Sequence, residues 1–129
     1  MEEKIHILLV DDEPDFIEPI SFWLKANGYP VLIASNGQEA LETVKKNKPD
    51  MVFLDIKMPG MDGIETLKRI REFNKELPVI ILTAYPTIEH FSQTQKLNVS
   101  GFFDKAGNMN ELRKIIDFTL NTYKKVWKK

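Results

Sequence analysis

Carboxylates, a hydroxyl and an ammonium stand where a series of short apolar runs come to an end. Asp11 and Asp12 follow Ile5 to Val10 (IHILLV), Asp55 follows Met51 to Leu54, Thr83 follows Val79 to Leu82, and Lys105 follows Gly101 to Phe103 with Asp104 between. If these runs are strands of one parallel sheet, their C-termini emerge along one edge, with neighbours about 4.8 Å apart. With the first and third strands adjacent, three carboxylates crowd one pocket, and they cannot all stay ionised unless a cation joins them. A hard divalent cation is implied. Magnesium fits best, because it takes oxygen ligands, uses one or two carboxylates and keeps positions for water and a phosphate. Phosphoryl transfer asks mainly for alignment and for positive charge and donors around the phosphoryl oxygens. The metal, Lys105 and the Thr83 hydroxyl supply these. A carboxylate can itself attack phosphorus, and Asp55, centred between the other strand ends, is best placed to become an aspartyl-phosphate.

Taken singly, each residue has a plainer explanation. Asp11 and Asp12 precede Pro14, so one of the acidic residues there is expected to cap the helix that follows. Lys105 alone is a surface lysine, and Thr83 alone a satisfied strand-end hydroxyl. The joint pattern carries the weight.

The elements that must position these groups read off in order. The helix after Pro14 puts Phe16, Ile20, Trp23 and Leu24 on one face and stops at Asn27-Gly28; Pro19 inside it predicts a late start or a kink. Val31 to Ala34 is a second strand, and Ser35-Asn36-Gly37-Gln38 opens a capped helix with Ala40, Leu41 and Val44 inward and Lys45, Lys46 and Lys48 at its end. Met51 to Leu54, bounded by Pro49 and Pro59, is a strand buried on both faces. A helix from Gly63 carries Ile64, Leu67 and Ile70. Thr87 to Leu97 is a weaker helix, diluted by Ser92, Gln93, Thr94 and Gln95, and the element readiest to move. Asn108 caps a last helix with Leu112, Ile115, Ile116, Thr119, Leu120 and Tyr123 at helical spacing. Strict alternation of five apolar strands with five helices predicts an α/β fold: an open parallel sheet covered by helices on both faces.

Composition narrows the partners. The chain has 129 residues, the size of one domain, with 18 Lys and Arg against 19 Asp and Glu and a net charge of -1. No basic excess exists to hold a polyanion, so direct nucleic-acid binding is disfavoured. The absence of cysteine excludes disulfides, thiolate catalysis and cysteine zinc sites. His6 and His90 cannot make a metal site alone, and neither lies beside the acidic cluster. No apolar run approaches a membrane span, and the N-terminus MEEKIH has the wrong charge for a signal peptide, which makes the cytoplasm the default compartment.

With LLVDDE, VFLDIKMPGMDG, ILTA and GFFDKA in order, each at a strand end, the sequence resembles the receiver domains of two-component response regulators over essentially its whole length. The resemblance implies a flavodoxin-like strand order 2-1-3-4-5 and one receiver domain over residues 1–129. It implies that Asp55 accepts phosphate from a phosphohistidine on a sensor histidine kinase or histidine phosphotransfer protein. Asp12 and Asp55 would bind Mg2+ directly, Asp11 largely through water, and Lys57 by its backbone carbonyl; Thr83 and Lys105 would contact the phosphoryl group. The aromatic three positions before the lysine, which in the family changes rotamer on activation, is Phe102 here; Phe91 and Phe103 are expected in the core. The face of the fourth helix, fifth strand and fifth helix would then meet an output domain or downstream protein. Catalysis would be limited to the chain's own phosphorylation and dephosphorylation.

Two features depart from the family pattern. Ala106 replaces the usual proline after the lysine; a cis bond before a non-proline residue costs roughly 3 kcal/mol, so a trans peptide and a differently shaped loop are expected. Lys57 and Tyr85 occupy positions where the family varies and tunes phosphate lifetime, and bulky Tyr85 is expected to impede the hydrolytic water. The last helix is expected to reach Trp127, about 28 Å from Met109. In that case residues 121–129, with Tyr123, Val126 and Trp127, form a partner surface or the start of a linker.

Other classes fit less well. A haloacid-dehalogenase-like phosphatase needs a second Asp two residues past the nucleophile, where Lys57 stands. A flavodoxin-type loop must cradle phosphate, and DDEPD would repel it. No G-x-x-x-x-G-K-[ST] is present. A degenerate receiver that only docks to proteins is opposed by the intact acidic set.

Overall fold

A computed structural model of the chain describes residues 4–84 and 88–122, with residues 88–91 described by backbone alone. Expectations that rest on Tyr85, Thr87, Phe91, Tyr123, Val126 and Trp127, and on the side chain of His90, lie outside the described residues.

Five strands alternate with five helices as the apolar runs require: β1 Ile7–Val10, α1 Pro14–Ala26, β2 Val31–Ala34, α2 Gly37–Asn47, β3 Met51–Asp55, α3 Gly63–Phe73, β4 Val79–Thr83, α4 Ile88–Gln95, β5 Gly101–Asp104 and α5 Met109–Thr122. All pairs are parallel in the order β2-β1-β3-β4-β5, so the expected architecture is borne out. Alternate strand residues face opposite sides. Leu8, Val10, Val52, Leu54, Val79 and Ile81 pack with Ala40, Leu41 and Val44 of α2 and Leu67 and Ile70 of α3. On the other side Ile7, Leu9, Met51, Phe53, Ile80 and Leu82 pack with Ile17, Ile20 and Leu24 of α1 and Leu112 and Ile116 of α5. Because helices seal both faces, β1, β3 and β4 are buried along their whole length, which is why they read as unbroken apolar runs.

Several helix ends follow their sequence signals. Asn36 Oδ1 accepts from Glu39 N at 2.9 Å, and Asp62 Oδ1 from Glu65 N at 2.8 Å. At α5 the box is reciprocal: Asn108 Oδ1 accepts from Glu111 N at 3.0 Å, and Glu111 Oε1 accepts from Asn108 N at 3.1 Å. The late start expected for α1 is corrected. The helix starts at Pro14 and runs on through Pro19, whose exposed ring leaves the missing backbone bond on the water side. Glu13 occupies the N-cap position, yet its side chain makes no capping bond. Pro14 at the first helical position has no N–H to satisfy, which lowers the demand for one.

Arg71, which no sequence motif marks, ties the end of α3 to the end of α4. Its buried guanidinium donates to the carbonyls of Asn74 at 3.0 Å, Leu77 at 2.8 Å, Leu97 at 2.7 Å and Asn98 at 3.0 Å. The helix expected over Thr87 to Leu97 stops two residues short, at Gln95, and Asn98 beyond it takes the left-handed conformation at φ 59°.

Gly63 sets how closely α3 approaches β3. Its N–H donates to Ile56 O at 2.8 Å, and a Cβ on it would lie 2.1 Å from the backbone oxygen of Asp55. Gly60, at φ 77°, has nothing within 4 Å of the same added atom. Gly63→Ala is therefore expected to cost at least about 2 kcal/mol, since backbone must shift, and Gly60→Ala about 1 kcal/mol from its left-handed φ alone. Urea midpoints of the two variants check that order.

Candidate functional site

The edge where the strands end is assembled by register. Val10 pairs with Leu54, Asp55 with Leu82, and Thr83 with Asp104, so Asp11, Asp55, Thr83 and Lys105 come off neighbouring strands at one level. The chain stays tied just past each end: Asp11 N donates to Ala34 O at 3.1 Å, Ile56 N to Leu82 O at 3.3 Å, and Lys105 N to Thr83 O at 2.9 Å. Backbone bonds rather than side-chain contacts thus place the four groups.

One carboxylate oxygen from each of Asp11, Asp12 and Asp55 lies within 4.8 Å of the others. Asp11 and Asp55 are buried and Asp12 is exposed. Lys105 Nζ stands 2.7 Å from Asp11 Oδ2, 3.2 Å from Asp55 Oδ2 and 2.6 Å from Glu13 Oε1. Asp55 Oδ1 also accepts a long bond from Lys57 N at 3.3 Å. Asp11 Oδ1 accepts from Glu13 N at 2.9 Å, while its fully buried Oδ2 meets the ammonium as an ion pair out of line for a hydrogen bond. A buried acceptor oxygen without a hydrogen bond, facing two further carboxylates, suits an oxygen-seeking divalent cation. The cluster can coordinate one.

The cavity at this edge has about 280 Å³ and is lined by Asp12, Glu13, Asp55, Lys57, Thr83, Ala84 and Lys105. A larger groove of about 760 Å³ runs from Lys57 past Asp62 and Lys68 to Gln93. It lacks Asp11, Asp12, Asp55 and Lys105, so the chemistry belongs to the smaller cavity.

Electrostatics follow from burial and crowding. Burial first, then the Asp11 charge, push the Asp55 carboxyl up from 3.8 to about 6, against the opposing pull of Lys105 and the Lys57 N–H. For Lys105, burial favours the neutral amine, but the carboxylates of Asp11, Glu13 and Asp55 outweigh it and hold the ammonium well above its ordinary value. Lys105 is charged and Asp55 mostly ionised near neutrality.

The sequence-derived residues Asp11, Asp12, Asp55, Lys57, Thr83 and Lys105 thus share one edge. Thr83 is buried at the end of β4 and lines the cavity. The peptide before Ala106 is trans, as expected without proline, and Lys105 nonetheless reaches Asp55. Phe102 stands apart from the acids, half-buried against the cluster that includes Leu97 and Val99; Phe103 is core. His6 is on the opposite edge, its backbone N–H donating to Asp50 Oδ2 at 2.8 Å. Glu13 and Phe16 were missed as site residues. The Phe16 ring centroid lies 5.0 Å from Lys105 Nζ. Glu13 directly follows the acid pair, but no spacing rule says that an N-cap side chain will turn to a lysine ninety-two positions away.

A doubly wound sheet with an acid cluster and a lysine where strand order reverses defines the class: an α/β domain whose strand-end edge can coordinate a divalent cation. Residues 7–117 match the family described as response regulator receiver domain, and the chain belongs to that family of two-component signalling. It is 39% identical over 113 residues to sporulation initiation phosphotransferase F of Bacillus subtilis, covering 88% of this chain and 90% of that one. It is 39% identical over 111 residues to transcriptional regulatory protein ZraR of Klebsiella oxytoca, covering 86% of this chain but only 25% of that one. Among solved structures, chemotaxis protein CheY4 of Vibrio cholerae superposes with a TM-score of 0.85 at 29% identity, covering 89% of this chain and 98% of that chain. No helix among the described residues is long and apolar enough to cross a membrane.

Linkage gives the Asp55 shift a sign. Its carboxyl pKa is higher folded than unfolded, so its contribution is fully present below about 4 and is lost as pH rises through about 6. Without divalent ions, Asp55→Asn is expected to be more stable than wild type by roughly 1–3 kcal/mol at neutral pH. The gap closes on acidification to about pH 4, and urea unfolding across that range measures it.

Proposed function

We propose that the chain is a phosphorylatable switch in which Asp55 accepts a phosphoryl group from a phosphohistidine of a sensor kinase or histidine phosphotransfer protein. The reading is carried by one observation: the oxygens of Asp11, Asp12 and Asp55 lie within 4.8 Å of one another beside a charged lysine. Family membership supports the class of partner. The name of the Bacillus subtilis relative, a phosphotransferase matched over 90% of its length, is in keeping with it.

Asp11, Asp12 and Asp55, with the backbone carbonyl of Lys57, would hold magnesium. Bound there, it supplies positive charge to the phosphoryl oxygens. An Asp55 oxygen attacks phosphorus, the P–N bond to the imidazole breaks, and the imidazole nitrogen keeps the electron pair and takes a proton from solvent. Lys105 neutralises the transferred oxygens, and the Thr83 hydroxyl donates to one of them. Dephosphorylation is a separate hydrolysis: water attacks phosphorus and gives up a proton to solvent, the P–O bond to Asp55 breaks, its carboxylate is restored, and inorganic phosphate leaves. With Thr83 drawn to the phosphoryl group, Phe102 turns inward and the face of α4, β5 and α5 changes its partners, an output domain or a downstream protein. The chain is a regulatory domain that catalyses only its own phosphorylation and dephosphorylation.

Incubation with acetyl phosphate and magnesium, followed by intact-mass measurement, is expected to add one phosphoryl group to wild type and none to Asp55→Asn. Lys105→Ala is expected to slow the gain on the order of a hundredfold, the usual cost of losing one transition-state donor. No gain by wild type would favour a module that only docks to other proteins.

A further inference from the structure

Lys105 has three carboxylates in reach, and its shortest contact is not to the acid read as the phosphoacceptor. Nζ lies 2.6 Å from Glu13 Oε1, 2.7 Å from Asp11 Oδ2 and 3.2 Å from Asp55 Oδ2. Glu13 is not among the three acids that converge on one point. Its side chain is 62% exposed, whereas that of Lys105 is 11% exposed, so the largely buried lysine meets a carboxylate that stands at the rim.

Glu13 is itself well placed to do this. Its N–H donates to Asp11 Oδ1 at 2.9 Å, and its carbonyl accepts from Phe16 N at 3.1 Å and Ile17 N at 3.0 Å. Pro14 follows at the first helical position, and no capping bond employs the side chain. The ring of Phe16, one residue beyond the first turn's acid Asp15, lies 5.0 Å from the ammonium. The start of α1 therefore offers Lys105 both a carboxylate and an aromatic face.

We propose that Glu13 is a positioning residue that holds the Lys105 ammonium against α1 and so sets how readily it reaches the phosphoryl oxygens on Asp55. The proposal rests on the reading of Asp55 as phosphoacceptor. An ammonium is a point charge on a flexible stem with three donors; time spent on Glu13 at 2.6 Å is time at less than full engagement of the transferred group. The competing role, repulsion of an incoming anion by the Glu13 charge, would not pass through Lys105, and a double-mutant cycle separates the two.

The test measures initial rates of phosphoryl gain from acetyl phosphate at saturating magnesium by intact mass, for wild type, Glu13→Gln, Lys105→Ala and the double variant. Glu13→Gln is expected to accelerate wild type about three- to fivefold, the scale of one partly exposed ion pair, and to leave the rate of Lys105→Ala unchanged. Equal acceleration in both backgrounds would assign Glu13 to repulsion of the donor, and no acceleration in the wild-type background would remove its role; either overturns the proposal while Asp55 still takes phosphate. A wild type indistinguishable from Asp55→Asn would instead remove the phosphoacceptor reading, and this proposal with it.

Discussion

Three carboxylate oxygens from Asp11, Asp12 and Asp55 are held within 4.8 Å of one another, and the rest of the site is a response to that crowding. Side chains on a flexible loop would relieve it by swinging apart. Here they cannot, because two of the acids stand at the ends of adjacent parallel strands whose register is fixed by backbone bonds and by apolar packing on both faces. The sheet is rigid for reasons unrelated to charge. It therefore keeps like charges together at the expense of local stability, and burial of Asp55, with the Asp11 charge second, pushes its carboxyl pKa up.

Lys105 provides the protein's own relief. Its ammonium meets Asp11, Asp55 and Glu13 at once, and a lysine on a flexible stem can withdraw when a stronger cation or an anion arrives. The same residue that balances the acids is thus available to balance a phosphoryl group. Its carrier, the end of β5, is tied by Lys105 N to Thr83 O, which links the lysine's position to the hydroxyl on the next strand.

Distant parts of the fold keep this edge in place. Gly63 lets α3 close on the backbone of Asp55, and Arg71 clamps the far end of α3 to the carbonyls that finish α4. The far end of α4 is pinned by two guanidinium bonds, to Leu97 O and Asn98 O, so displacement of that helix is expected to be larger at its other end, nearer the site.

Much of this was legible in the residues. Unbroken apolar runs such as MVFL and VIIL state that strands are buried on both faces, and alternation with amphipathic helices leaves a parallel sheet as the arrangement that buries them all. Once the sheet is parallel, Asp11, Asp55, Thr83 and Lys105 must share an edge, because each ends its strand. Tertiary structure alone decided what the side chains do there. Glu13, one of the acids before Pro14 read as a cap, became a partner of Lys105; Pro19 read as a late start or a kink, and the helix starts at Pro14 all the same; Arg71, which no local pattern marks, became a buried clamp. Local pattern reports burial and backbone preference, which neighbours in the chain determine. The choice of partner for a long charged side chain depends on which distant groups the fold has already brought within reach.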